Sequence, residues 1–102
     1  MKLLGALPLR EIDHFASHGF RHTRVGHGDL HVSLAELDGV IGGHEAASAQ
    51  VLVVVRGRVA VSTHDETAEL GVWEAVSWED GEWHETRSLE PSVVLIVEGV
   101  FE

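Results

Sequence analysis

Short segments rich in valine, leucine and isoleucine recur along this chain, each closed by glycine or by an acidic or polar turn, and no stretch sustains a 3.6-residue apolar period. Leu30 to Leu37, Gln50 to Val55, Arg58 to Thr63, Ala75 to Trp78 and Val93 to Val97 read as strands. Between them stand Asp38-Gly39, Arg56-Gly57, His64-Asp65-Glu66, Asp80-Gly81 and Glu90-Pro91, residue types that supply the backbone angles of turns. Nothing in the pattern provides crossover helices, so the spacing predicts an all-β sandwich or barrel. One short helix is expected near Pro8 to Ser17, where Pro8 suits a first turn and Ile12 and Phe15 would share a face.

The chain has 102 residues, which predicts a single domain, 1–102, around one core. An apolar content of 44% against 24% charge places it among folded proteins, because enough apolar surface is available to offset chain entropy. Val51 to Val55 and Val93 to Val97 are apolar at consecutive positions, which predicts cover on both faces of those strands. The barrel interior would cover one face. For the other, a homodimer is expected ahead of residues 1 to 30 folding back, since so small a domain has few layers of its own.

Aspartate and glutamate outnumber lysine and arginine 17 to 7, a balance that repels phosphate backbones and anionic lipid heads. Neither nucleic acid nor membrane is expected as a partner. Cysteine is absent, which removes disulfides, thiolate metal sites and cysteine nucleophiles together. The apolar opening from Met1 to Leu7 is interrupted at Pro8 and Arg10, too soon for an export signal, and a cytoplasmic location is expected. No Gly-x-Ser-x-Gly elbow occurs, and Gly39, Gly42 and Gly43 lack the lysine of a phosphate-cradling loop.

Chemistry concentrates in two places. If the chain is extended from His44 onward, His44, Ala46, Ser48, Gln50, Leu52 and Val54 share one face, which sets a histidine and an amide above an apolar floor. After the Asp80-Gly81 turn, His84, Thr86 and Ser88 share a face while Trp83, Glu85 and Arg87 take the other. Trp78 is the aromatic candidate for a pocket wall. His31 shares a face with Ser33, Ala35 and Leu37, small enough neighbours to make it a reserve ligand. His14, His18 and His22 recur every four residues but are interrupted by Gly19, and are expected on a solvated surface.

Around these residues the spacing resembles the cupin superfamily. Its first motif, G-x5-H-x-H-x3-4-E-x6-G, is matched by His44, Gln50 and Gly57 at three named positions. Its second, G-x5-P-x-G-x2-H-x3-N, finds Gly81, His84 and Ser88 at the last glycine, the histidine and the asparagine, with Gly71 two residues early for the leading glycine. Ala46 stands at the second histidine, Gln50 at the glutamate and Glu79 at the proline. The resemblance covers roughly residues 39–99 and is nearest to small single-domain bacterial cupins.

It implies a jelly-roll β-barrel with a lumen that binds a small molecule, walled by Leu52, Val54, Thr86, Ser88, Trp78 and His31. It also implies a divalent transition metal, Mn, Fe, Ni or Zn, held by His44 and His84 with Gln50 offering its amide oxygen. By the same analogy an enzyme of this kind would be an isomerase, decarboxylase or dioxygenase. Losing one imidazole and one carboxylate weakens any such metal site. Two alternatives stay open: a metal-free ligand-binding or sensor protein in which His44 and His84 hydrogen-bond a polar ligand, and a scaffold with a vestigial pocket.

Overall fold

The computed structural model describes residues 1–26 and 28–99. Among the described residues, nine strands form one continuous sheet that rolls into a nearly closed barrel. They are β1 (Arg10–Glu11), β2 (His18–Gly26), β3 (Leu30–Glu45), β4 (Gln50–Arg56), β5 (Val59–Ser62), β6 (Thr67–Leu70), β7 (Ala75–Trp78), β8 (Trp83–Ser88) and β9 (Ser92–Gly99). The order is β6-β5-β8-β3-β9-β4-β7, with β2 on the remaining edge of β3 and β1 beyond it.

The 16-residue β3 joins the two halves of the roll. One edge pairs with β2; along the other, Leu30 to Leu37 pair with β9 and Val40 to Glu45 pair with β8. Asp38-Gly39, expected as a turn, is instead the place where this single strand leaves one half of the sheet for the other. The remaining turn expectations correspond to breaks between strands. At Asp80-Gly81, Gly81 has φ +83° and its N–H donates to the Ala46 carbonyl at 2.8 Å.

Strand parity builds the core. Along β4 and β9 the residues Leu52, Val54, Val94 and Ile96 are buried while their neighbours are half-buried. These join Phe20, Ala35, Leu37, Ile41, Val59, Val61 and Trp78 in one apolar cluster between the two halves of the sheet. Burying such side chains is worth about 1.5–3 kcal/mol each before chain entropy is counted.

The helix expected near Pro8 to Ser17 is replaced by the two-residue strand β1 and a three-residue 3-10 turn at His14–Ala16. A segment this short gains few intrahelical bonds for the cost of nucleation. Pairing offers more: Arg10 lies opposite His22, Glu11 opposite Arg21, and the Ile12 N–H donates to the Phe20 carbonyl at 2.8 Å.

Candidate functional site

His44 faces the interior because β3 carries an extra residue. Ile41 pairs with Thr86 and His44 with His84, so three steps on β3 match two on β8. In an uninterrupted strand Ile41 and His44 would point to opposite faces; a one-residue bulge restores them to the same one. The bulge falls at Gly42-Gly43, where side chains have no room. A Cβ on Gly42 would collide with the Phe15 carbonyl, and one on Gly43 with the Trp83 ring. His84 needs no such device, since it alternates regularly with Thr86 on β8, both 2% exposed.

The two imidazoles lie 4.6 Å apart between ring centres. The His44 Nδ1–H donates to the Gly42 carbonyl at 2.8 Å and the His84 Nδ1–H to the Glu82 carbonyl at 3.1 Å. A carbonyl only accepts, so these bonds place a proton on Nδ1, and Nε2 is then the acceptor in the neutral form of the ring. Phe15 stacks on His44 at 4.3 Å, and Trp78 stacks on His84 at 4.0 Å. Burial lowers the His84 pKa below the ordinary histidine value; the Glu82 carbonyl opposes this, His44 adds to it, and the Glu82 and Glu98 carboxylates work against it.

Both histidines line a pocket of about 370 Å³ at one mouth of the barrel. Ile12, Phe20, Ile41, Leu52 and Ile96 form its apolar wall, and Gln50 and Thr86 add polar groups. The face expected to run unbroken from His44 to Val54 is interrupted by a loop at 46–49, after which Gln50 re-enters as the first residue of β4. Ala46 is buried at 3% exposure, its N–H bonded to the Glu82 carbonyl.

Of the expected pocket residues, Leu52 and Thr86 line this cavity, whereas Trp78, Val54, Ser88 and His31 are not among its lining residues. Trp78 lies against the His84 ring and supports it. Val54 is fully buried in the core. Ser88 bridges to Gly39, its Oγ accepting from the N–H at 2.7 Å and donating to the carbonyl at 3.1 Å. His31 lies opposite Glu98 on β9, with its Nδ1 buried and without a hydrogen-bond partner.

Several lining residues had no counterpart in the sequence reading. Phe15 closes over His44 from the 3-10 turn, and His14 and His22, expected on a solvated surface, both line the cavity. Glu98 enters through strand parity, two residues beyond Ile96 on β9; continuing that strand past Val97 would have found it. A second hollow, about 430 Å³, lies at the other end of β9 and is bordered by Arg21, Glu36, Asp38, Arg56 and Ser92. Its exposed Arg21–Glu36 pair, at 3.6 Å, marks a solvated surface of mixed charge.

The motif resemblance implies a divalent metal on His44, His84 and Gln50. Among the described residues no three histidine, cysteine, aspartate or glutamate side chains converge as a metal site. Two imidazoles and the neutral Gln50 amide fall short of a tightly held resident ion, which draws on three or four strong donors.

No family model matches the sequence, and no curated protein matches it significantly. Solved structures do match. The polyketide cyclase RemF from Streptomyces resistomycificus aligns over 100% of this chain and 87% of its own, with a TM-score of 0.82 and 17% identity. An RmlC-like cupin from Shewanella frigidimarina aligns over 95% of this chain and 86% of its own (TM-score 0.80, 15% identity). KdgF from a Halomonas species aligns over 88% and 84% (TM-score 0.78, 24% identity). At such identities the likeness is one of architecture, and it agrees with the strand order and rolled sheet described above: this chain has the cupin fold.

Proposed function

We propose that this chain binds a small organic molecule at the mouth of its barrel, the apolar part of the ligand against Phe15, Phe20, Leu52 and Ile96 and a polar group against His44, Gln50 and His84. The observation that carries the reading is the cavity of about 370 Å³, apolar on most of its wall, in which the paired imidazoles are fixed by their own backbone bonds. Pockets of 300–1,000 Å³ with a few oriented polar groups are typical small-molecule sites. Anchoring Nδ1 to a carbonyl orients the ring before the ligand arrives, so less ordering is needed on binding.

The same anchoring supports a second reading, in which His44 and His84 with the Gln50 amide oxygen hold a labile divalent ion. Histidine ligands of metals are commonly oriented by a hydrogen bond to the other ring nitrogen. One experiment separates the two. Untagged protein prepared without chelator is analysed for Mn, Fe, Ni and Zn, then titrated calorimetrically with benzyl alcohol, benzylamine and benzoate. Binding of at least one probe at about one per chain, lost in His84→Ala without any metal present, supports the first reading. Stoichiometric metal abolished by His44→Ala or His84→Ala supports the second, and neither signal would overturn both.

A further inference from the structure

Among the described residues, the ionisable groups lining the pocket are Glu45, Glu98, His14, His22, His44 and His84, and no lysine or arginine is among them. Arg21 and Arg56 border the hollow at the Ser92 end of β9, and Glu98 stands six residues along the same strand. At a strand rise of about 3.3 Å per residue this separates them by roughly 20 Å, well beyond a Debye length at physiological salt.

Register gives Glu98 a fixed place. It lies directly opposite Gln50 on β4 and opposite His31 on β3, and Gln50 in turn lies opposite Trp78 on β7. Residues paired in this way share a face, with Cβ atoms about 5 Å apart. The carboxylate is therefore next to the amide at the floor of the pocket. It is also near enough to His84 to favour that ring's charged form, an effect outweighed by burial.

What the pocket offers a ligand follows from these groups. The Nε2 atoms of His44 and His84 accept hydrogen bonds, as does the Glu98 carboxylate. Phe15 and Phe20 present aromatic surface, which attracts a cation over its face. Among the described lining residues there is no permanently charged donor for an anion; the nearest by register is Arg10, opposite His22 at the exposed edge strand β1.

We propose that the pocket selects organic cations, a primary or secondary ammonium on an apolar body, and that Glu98 is the residue that sets this preference. This rests on the ligand-binding reading and names its substrate class. The ammonium donates to the Glu98 carboxylate, while the apolar body lies along Phe20, Leu52 and Ile96.

The test uses three probes of matched shape, 2-phenylethylamine, 2-phenylethanol and phenylacetate, titrated calorimetrically into the full chain at pH 8, above the ordinary histidine range. The amine is expected to bind at least about ten-fold more tightly than the alcohol, as a charge-assisted hydrogen bond allows, and phenylacetate most weakly. Glu98→Gln is expected to remove the amine's advantage, bringing it to within about two-fold of the alcohol measured in the same variant. Raising the salt with wild-type protein gives a readout that does not depend on the variant folding: amine affinity falls and alcohol affinity holds. Phenylacetate binding best, or an amine advantage insensitive to both salt and Glu98→Gln, overturns the assignment and leaves the pocket as a ligand site. Binding of none of the three overturns the ligand-binding reading as well.

Discussion

The His84 ring exchanges water for the face of Trp78, the nearby His44 and one backbone carbonyl, surroundings that favour a neutral imidazole. Its folded pKa is therefore below the 6.5 of the unfolded chain, chiefly through burial. Between those two values the unfolded state binds more protons, so stability rises with pH across the interval. The contribution is complete above about 6.5 and is lost as pH falls through the lowered folded value. Urea unfolding from pH 7.5 down to 5 should show a steeper loss of stability in wild type than in His84→Gln; parallel slopes would remove the assignment. Phe15 makes a second expectation at this scale. With φ 58° it occupies the left-handed region, as does Ala16 beside it, a cost of roughly 1–3 kcal/mol each that persists only where neighbours enforce it. Here the Ser17 N–H donates to the His14 carbonyl, and the Ser17 Oγ accepts the Gly42 N–H at 3.0 Å. The Phe15 side chain is 58% exposed, so Phe15→Ala should leave stability nearly unchanged. Calorimetry should show weaker binding of ring-bearing probes, by about 2- to 10-fold, the range of an aromatic contact.

At the scale of elements, β3 decides where the site lies, because its bulge turns His44 inward and its change of partner brings β8 beside it. Gly42→Ala drives a Cβ into the Phe15 carbonyl and so displaces both the bulge and the turn that covers the pocket. Overpacking of this kind costs about 1–3 kcal/mol. Chemical denaturation should register that loss, and probe affinity should fall with it; wild-type stability in the variant would mean that the bulge tolerates a side chain. The sequence made parts of this arrangement legible and hid others for physical reasons. Alternation on β8 was readable directly, and His84 and Thr86 are buried together as parity requires. His44 was also expected to face inward, but from an unbroken strand through Val54; a bulge and then a loop at 46–49 reach that result by another route. β2 was invisible because His18-Gly19-Phe20-Arg21-His22 has little strand propensity of its own; it is held by pairing with β3. Glu98 is hidden in the sequence because the apolar run of β9 stops at Val97, although the parity of Val94 and Ile96 extends to it.

For the whole molecule, the outer face of the sheet poses the remaining question. Leu34, Leu95 and Val53 lie in cross-strand register on that face, as do Val32, Val97 and Val51, forming apolar stripes across β3, β9 and β4. Each of these side chains is only half-buried. Residues 1 to 30 cover a corner of the face: Leu7 and Leu9 border a groove with Leu34 and Val93, while Leu3 and Leu4 remain exposed. Folding back of the amino-terminal segment thus accounts for a fraction of the cover that the consecutive apolar residues call for. We propose that a second copy of the chain covers the rest, since an apolar patch on a small domain can pair with itself about a two-fold axis. The acidic excess opposes association at long range but not at this patch, where the stripe residues are uncharged. Light scattering at micromolar concentration should return the mass of two chains, and Leu95→Glu, which sets a charge at the centre of the stripes, should return the mass of one with the fold intact by circular dichroism. A wild-type monomer under the same conditions would mean that the half-buried valines tolerate water, and that the strand pattern reflects β propensity rather than a second covered face.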